Sequence, residues 1–228
     1  MTDLPGLAIK DFYEKKLKSK LYVHDQFGPK VEMPISMYFR NEVEMPELED
    51  VALENCEGRV LDVGAGAGSH ALALQVKGLD VSALEISPAA CEVMESRGVK
   101  DVICADFFKF NSEEKYDTIL LLMNGIGLCG TIENLKTFLK KAEELLKEDG
   151  RLVFDSSDTI YMYEHDILPE RYYGEVECAY SYKNLKTDYF KWLYIDQDKL
   201  REVAQELGWE MKILFEDNHY QYLVELKK

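Results

Sequence analysis

A short apolar run that meets three alternate glycines constrains the fold of this chain more than any other feature. Residues 60–63 are apolar apart from one carboxylate, and Gly64, Gly66 and Gly68 follow directly before a helical pattern. Glycine adopts left-handed backbone angles and lets a bound group approach the backbone closely. The stretch therefore predicts a buried strand that leads into a nucleotide-binding turn. The alternative is a turn that only packs a helix against a sheet.

Carboxylates close three successive predicted strands. Asp62 lies just before the first glycine, Glu85 ends the second apolar run and Asp106 ends the third. The carboxyl ends of parallel strands form the edge at which open α/β sheets bind ligands. Asp62 would repel a pyrophosphate, and Ser69 stands where the dinucleotide fingerprint has its last glycine. We therefore expect a cationic or zwitterionic ligand, with Glu85 placed to accept both hydroxyls of a ribose.

These residues resemble the class I, Rossmann-like, S-adenosylmethionine-dependent methyltransferases, whose glycine turn follows a hydrophobic strand as it does at residues 60–68. The resemblance covers residues 46–158 and extends to a return of the chain at the C-terminus. It implies an α/β fold with a doubly wound, seven-stranded, mostly parallel sheet that ends in a C-terminal antiparallel pair. An N-terminal helical arm and an inserted β-hairpin complete the expected fold class.

The resemblance also implies S-adenosyl-L-methionine as the cofactor and assigns residues to its parts. The methionine end would lie at Asp62 and the glycine turn, the ribose at Glu85 and the adenine at Asp106 and Phe107. In related enzymes an N-terminal arm often reaches the cofactor carboxylate, which is the interpretation given to Tyr38 and Arg40; a surface arginine beside core aromatic residues is the alternative. The candidate cofactor-binding residues are Asp62, Gly64, Ala65, Gly66, Glu85, Ile86, Asp106, Phe107, Met123, Asn124, Tyr38 and Arg40.

Four segments are expected along the chain. Residues 1–45 form a helical arm or lid, in which apolar positions among residues 7–20 predict a surface helix. Residues 46–158 form the cofactor-binding core, and residues 196–228 add a helix and two strands to its sheet. Residues 159–195 break the alternation of strands and helices, and aromatic residues there alternate with polar ones, which predicts a β-hairpin. This hairpin is interpreted as a substrate cover or, alternatively, as a dimerisation surface.

The expected methyl transfer depends mainly on alignment of the reactants and needs little catalysis by side chains. Alignment of a nucleophile with an activated methyl group for in-line displacement contributes about 7 to 11 kcal/mol by itself, so no clear base is required. His165, Tyr161 and Asp155 are candidates for a general base, and an ordinary loop residue is the alternative for each. Asn124 matches only part of the Asn-Pro-Pro-Tyr signature of enzymes that methylate amide or base nitrogens, because Gly125 and Ile126 replace the prolines.

Composition narrows the partners. The net charge of −16 works against nucleic acid, whose binding depends on Lys and Arg. Five cysteines without Cys-x-x-Cys spacing indicate small core residues in a reducing compartment and no metal site. No stretch approaches the roughly 18 apolar residues that cross a membrane. We therefore expect a cytoplasmic protein that acts on a small molecule.

Three functions remain open from the sequence. The first is methyl transfer to a small molecule or to a protein side chain, of which the small molecule is preferred. The second is a nicotinamide-dependent oxidoreductase, against which Asp62 and Ser69 argue. The third is a non-catalytic protein that only binds S-adenosylmethionine, and the aromatic hairpin argues against it.

Overall fold

The fold is described from a computed structural model, in which residues 3–16, 18–163 and 168–228 are placed. The base candidate His165 lies outside these described residues. Within them the helices are α1 (Leu4–Tyr13), α2 (Glu47–Glu54), α3 (Ser69–Val76), α4 (Pro88–Arg97), α5 (Ile132–Leu145) and α6 (Gln197–Glu206). The strands are β1 (Leu21–His24), β2 (Val31–Met33), β3 (Arg59–Val63), β4 (Asp80–Glu85), β5 (Asp101–Cys104), β6 (Tyr116–Leu121), β7 (Leu146–Ser157), β8 (Glu175–Tyr182), β9 (Leu185–Lys186), β10 (Phe190–Leu193), β11 (Glu210–Glu216) and β12 (Gln221–Lys227).

The larger sheet has seven strands in the order β11-β12-β7-β6-β3-β4-β5. The pairs β4–β5 and β6–β7 are parallel, whereas β12 runs antiparallel to both β7 and β11. Ile119, Leu120 and Leu121 of β6 are fully buried although successive side chains point to opposite faces, as expected of a central strand covered on both sides. The expected fold class, a mostly parallel sheet with a C-terminal antiparallel pair, is confirmed.

Helix α4 shows how local sequence sets the element boundaries. The Ser87 hydroxyl accepts the Ala90 N–H, Pro88 occupies the first helical position, and Gly98 ends the helix with a φ of 97°. Each residue suits its position, because a serine caps free N–H groups, proline needs none, and glycine tolerates a left-handed φ.

The N-terminal region departs from the sequence-based expectation. The helix expected among residues 7–20 runs from Leu4, where Asp3 caps it, to Tyr13, and Lys15 already has a φ of 58°. Strands β1 and β2 had no counterpart in the prediction. They complete a second sheet in which β10, β8, β1 and β2 lie in that order and β9 pairs with β8. The register joins Leu21 to Tyr182, and local periodicity carries no signal for a pairing so distant in sequence.

Contacts divide the chain into two compact units, each made of three segments. The first unit contains Met1–Met45, Asp62–Phe110 and Glu177–Phe190, and the second contains Pro46–Leu61, Asn111–Val176 and Lys191–Lys228. The expected division into four consecutive segments stays a prediction. A core cluster of the first unit joins α1, α4, the glycine turn and the hairpin; its buried members are Leu4, Ala8, Ile9, Leu21, Ile35, Ala67, Ala90, Val93 and Tyr182.

Two expectations based on composition can be compared with the described residues. Cys56, Cys91, Cys129 and Cys178 are buried, but Cys104 is exposed, so the expectation that all five are core residues is wrong for Cys104. That residue ends β5, the edge strand of the larger sheet. Among the described helices, none combines the length and the apolar character that crossing a bilayer requires.

Candidate functional site

The glycine turn connects β3 to α3 in the first unit. Gly64, Gly66 and Gly68 all have left-handed φ values, of 73°, 57° and 82°. The N–H groups of Gly64 and Ala65 donate to the Leu84 carbonyl at 2.8 and 3.2 Å. Because Leu84 belongs to β4, the turn is fixed to the strand that carries Glu85 next to it.

The three glycines differ in what surrounds them. A Cβ at Gly68 would lie 2.7 Å from Val99 Cγ2, and one at Gly66 would lie 2.9 Å from the Tyr38 ring. A Cβ at Gly64 would meet nothing within 4 Å. Gly68 therefore serves helix packing and Gly66 the contact with Tyr38, whereas the space beside Gly64 is open to a bound group.

Asp62 is the buried carboxylate of this turn. It is 1% exposed and accepts the backbone N–H of Ala71 in the first turn of α3. Burial raises its pKa to about 6, against the opposing effects of His70 and the Ala71 N–H. Its second oxygen, Oδ2, has no hydrogen-bond partner in the described part of the chain. Because an unpaired buried carboxylate oxygen is costly, this atom favours a ligand that brings a positive charge or a donor.

Glu85 is held by the backbone on both sides. Its Oε2 accepts the Gly66 N–H and its Oε1 accepts the Ser87 N–H, each at 2.9 Å. Burial raises the pKa of Glu85, and the N–H groups of Ser87, Gly66 and Ile86 act in the opposite direction. A carboxylate offers about four acceptor positions, so acceptor capacity remains. A fixed carboxylate with acceptor capacity to spare suits a ligand that brings hydroxyl donors.

Asp106 and Phe107 follow β5. The Asp106 carboxylate accepts the Phe108 N–H at 3.0 Å and caps the short 3₁₀ helix Phe107–Lys109. Phe107 is buried, while Ile86, which follows Glu85, is 68% exposed. Ile86 therefore offers an exposed apolar surface beside Glu85, of the kind that a flat apolar ligand group covers.

Tyr38 lies against the glycine turn on the short 3₁₀ helix Ile35–Phe39. Its carbonyl accepts the Ser69 hydroxyl at 2.7 Å, and its ring stands over Gly66. Burial raises the pKa of the Tyr38 phenol, which donates to Met33 Sδ at 3.5 Å. Arg40 directly follows this helix and is half-buried. The structure thus brings Tyr38 to the turn, and the role of Arg40 stays a prediction.

Two residues near the turn were missed by the sequence analysis. Arg97, at the end of α4, donates from Nη1 to the Ala67 carbonyl and, at 3.4 Å, to the Tyr38 carbonyl. Asp3 caps α1 and accepts the hydroxyl of Ser87 at 2.6 Å. The N–H of the same serine donates to Glu85. The only signal for Asp3 was its place before Pro5, a helix-start pattern; Arg97 had none, because its partners are distant carbonyls.

The second unit contains Asn124, Met123 and Asp155. Met123 and Asn124 follow β6 with left-handed φ values of 60° and 56°, a conformation that costs about 1–2 kcal/mol for each non-glycine residue. The Asn124 N–H donates to both oxygens of Asp155 at 2.9 Å. Asp155 is fully buried, and burial raises its pKa to about 6.

Tyr161, another base candidate, lies on the short 3₁₀ helix Ile160–Tyr163 of the second unit. It is 41% exposed, and its ring stacks on Tyr220 with 5.2 Å between the centroids. No hydrogen bond in the described residues prepares its hydroxyl for proton transfer. Its assignment as a base therefore stays a prediction.

A seven-stranded α/β sheet with a glycine turn and strand-end acids defines the class I methyltransferase type of protein. Comparison with known families agrees: the model of a methyltransferase domain matches residues 39–212. The chain belongs to this family, and the resemblance derived from the glycine turn is confirmed. The chain is therefore an enzyme of the methyltransferase class, which decides against the nicotinamide-dependent oxidoreductase and the non-catalytic binding protein.

Relatives with solved structures or curated sequences give the same assignment. An S-adenosylmethionine-dependent methyltransferase from Bacteroides fragilis, crystallised with S-adenosyl-L-homocysteine, is 42% identical with a TM-score of 0.92, over 99% of this chain and 94% of that one. An uncharacterised methyltransferase from Staphylococcus carnosus (strain TM300) is 24% identical over 80% of this chain and 84% of its own length. The (S)-tetrahydroprotoberberine N-methyltransferase of Eschscholzia californica is 33% identical over 42% of this chain and 29% of its own length.

Proposed function

We propose that this methyltransferase transfers the methyl group of S-adenosylmethionine to a small-molecule acceptor by in-line displacement. S-adenosylmethionine is the methyl donor of the enzyme; the B. fragilis relative holds its demethylated product. The observation that carries the assignment of the binding residues is the unpaired Oδ2 of buried Asp62 beside the open space at Gly64.

The residues of the first unit fit the chemical groups of this cofactor. Asp62 would accept a donor from the methionine ammonium, with Gly64, Ala65 and Gly66 bordering the methionine end. The remaining acceptor capacity of Glu85 would take the ribose hydroxyls. Asp106 would accept from the adenine amino group beside Phe107, and Ile86 would cover the base.

Three further assignments are proposed for residues around this set. Tyr38 would close the glycine turn over the methionine end, and Arg40 would approach the cofactor carboxylate. Met123 and Asn124 would border the cofactor from the end of β6, because ligands of open α/β sheets lie at the carboxyl ends of the strands.

The protein contributes positioning to the transfer. The bound sulfonium supplies a methyl group that is already activated for displacement. The protein would hold the methyl donor by its carboxylate, its ribose and its base, so that only the nucleophile remains to be aligned. Such alignment lowers the reaction barrier by about 7 to 11 kcal/mol. A base adds a factor of about 100 to 10,000 where the nucleophile must lose a proton.

Charge and aromatic content guide the proposal for the acceptor. A chain with net charge −16 repels anionic substrates and steers cationic ones toward it. Segment 159–195 carries eight of the fourteen tyrosines, and aromatic faces attract cations by roughly 0.5–2 kcal/mol. We therefore favour an uncharged, cationic or aromatic small molecule over nucleic acid. A nitrogen acceptor agrees with the name of the E. californica relative.

The place of the hairpin remains part of the proposal. Val176, Cys178, Ala179 and Tyr182 of β8 are buried, so deleting the hairpin would damage the core of the protein. A cover or a homodimer surface would have to use its exposed residues, such as Tyr189, which is 56% exposed.

A cytoplasmic location is also proposed. The five cysteines, which lack Cys-x-x-Cys spacing, indicate a reducing environment, and the cytoplasm provides one.

The test combines binding with product detection. Calorimetry with S-adenosylmethionine, S-adenosylhomocysteine and NAD should show binding of the two sulfur compounds and none of NAD. A library of amines, phenols and other small acceptors should then contain compounds that release S-adenosylhomocysteine. Binding of NAD alone would contradict the cofactor assignment. Efficient methylation of tRNA or DNA fragments in place of every small molecule would contradict the acceptor class.

A further inference from the structure

Asp155 lies on β7, and both of its carboxylate oxygens accept hydrogen bonds from the protein. It is fully buried and stands opposite Leu223 of β12. Its two oxygens share the Asn124 N–H at 2.9 Å each, and Oδ2 also accepts Gln221 Nε2 at 3.1 Å. A general base must reach the proton that it removes within hydrogen-bond distance. Asp155 is therefore poorly placed to act as the base that the sequence suggested.

The segment that Asp155 holds is unusual. Met123 and Asn124 are two consecutive non-glycine residues in the left-handed region, with φ values of 60° and 56°. Such residues persist only where the surroundings enforce them, and they cluster at functional sites. Here the enforcing contacts are the Asp155 carboxylate on the Asn124 N–H and the Leu193 carbonyl, which accepts Asn124 Nδ2 at 3.2 Å.

The strained pair also sets the direction of the chain after β6. The Asn124 carbonyl accepts the Gly127 N–H at 3.0 Å and so begins the 3₁₀ helix Gly125–Cys129. This segment leaves the carboxyl end of β6, the edge at which parallel sheets of this kind bind ligands. A carboxylate that fixes one backbone N–H here fixes the shape of that edge.

We propose that Asp155 is a positioning residue for methyl transfer, which holds Met123 and Asn124 in the left-handed conformation that the ligand-binding edge requires. The proposal rests on the proposed function, since it takes Met123 and Asn124 to border the cofactor. Gln221 supports the carboxylate by donating to the oxygen that it shares with Asn124. Asp155 acts through the backbone of Asn124 and touches neither substrate nor cofactor.

The decisive variant is Asp155→Asn, which keeps the size of the side chain. Asparagine has one acceptor oxygen, so its NH2 group would face either the Asn124 N–H or Gln221 Nε2, both of which are donors. The support of the left-handed pair would then weaken, and the dissociation constant for S-adenosylhomocysteine, measured by calorimetry, should rise about tenfold. Glu225→Gln is the matched control: Glu225 is a buried carboxylate on β12 that pairs with Arg151 and Lys227, so this change should leave the dissociation constant unaltered.

A second variant separates positioning from general damage. Glycine adopts positive φ without support, so Asp155→Asn should weaken binding less than about threefold when it is made in an Asn124→Gly protein. Equal losses in both backgrounds would overturn the proposal, as would an unchanged dissociation constant for Asp155→Asn alone.

Two further measurements keep the proposal testable. If circular dichroism shows that Asp155→Asn does not fold, Gln221→Met takes its place, because that change removes one donor to Asp155. Gln221→Met should weaken binding about threefold, and an unchanged dissociation constant would overturn the proposal. Binding of S-adenosylhomocysteine to the unaltered protein is measured first. Its absence would refute the proposed function, whereas normal binding with insensitive variants would refute only the role of Asp155.

Discussion

Two carboxylates, one in each compact unit, are both buried but differ in their hydrogen-bond partners. Asp62 is 1% exposed and Asp155 is fully buried, and burial raises the pKa of both to about 6. Both oxygens of Asp155 accept hydrogen bonds, from the Asn124 N–H and from Gln221 Nε2. Asp62 uses one bond from Ala71, and its Oδ2 has no partner in the described residues. A carboxylate with both oxygens hydrogen-bonded by the chain fixes the shape of the backbone around it, whereas one with an unpaired oxygen is suited to a ligand.

The first way to test this comparison is the pH dependence of stability. Burial raises both pKa values from 3.8 to about 6, so between these values the folded protein binds more protons than the unfolded chain. Stability from each group is therefore greatest at low pH and falls as the pH rises through about 6. At about 1.4 kcal/mol per pKa unit, the fall is about 3 kcal/mol for each carboxyl group.

Replacement by asparagine should remove this fall. Relative to the unaltered protein, Asp62→Asn and Asp155→Asn should each gain about 2 kcal/mol in free energy of unfolding between pH 4 and pH 7, the part of the fall that lies in this range. His70 faces Asp62 and Glu49 faces Asp155, and both remain in the variants. At pH 7 Asp155→Asn should be less stable than Asp62→Asn, because Asp155 serves two N–H donors whereas Asp62 serves one, for which the single oxygen of asparagine suffices. Urea unfolding at several pH values measures this, and identical offsets for both variants would remove the distinction.

The second test concerns cofactor affinity at Asp62. Hydrogen bonds to charged groups contribute about 1.5–3 kcal/mol, so Asp62→Asn should weaken binding of S-adenosylhomocysteine between about 10- and 150-fold. Calorimetry at pH 8, where the carboxyl group is ionised, measures it. Glu92→Gln serves as control, since it removes one negative charge from the exposed Glu92 on α4 and should not change the affinity. Equal affinity for Asp62→Asn would contradict the assignment of Asp62 to the ligand.

The third test concerns Glu85, which combines both properties, because its two oxygens hold the Gly66 and Ser87 N–H groups and keep acceptor capacity for a ligand. Glu85→Gln replaces one oxygen by a donor, so either the Gly66 N–H or the Ser87 N–H loses its acceptor. We expect about tenfold weaker cofactor binding, or about 1.4 kcal/mol, together with a lower melting temperature of the ligand-free protein. A lower melting temperature with unchanged affinity would assign Glu85 to shape alone, as at Asp155.

The contrast also shows how far the sequence reaches. The glycine turn, the strand-end acids and the caps of α4 could be predicted, because each depends on residues that are close in sequence. The pairing of β1 with β8 could not, since Leu21 meets Tyr182 across most of the chain. Neither could the different partners of Asp62 and Asp155. Both read as acids that end or nearly end an apolar strand, and only the folded chain shows that Gln221 and Asn124 occupy one of them.

The smallest expected effect tests Tyr38, where shape and polarity can be separated within one side chain. Its ring stands over Gly66, but its hydroxyl donates to the Met33 sulfur at 3.5 Å, a weak acceptor. Tyr38→Phe keeps the ring, so stability and cofactor affinity should change by less than about 0.5 kcal/mol. Tyr38→Ala, the control that removes the ring, should lower the melting temperature and weaken binding together. If Tyr38→Phe alone weakens binding more than about threefold, the hydroxyl contacts the cofactor, and Tyr38 then belongs with Asp62 among the residues that serve the ligand and not with Asp155.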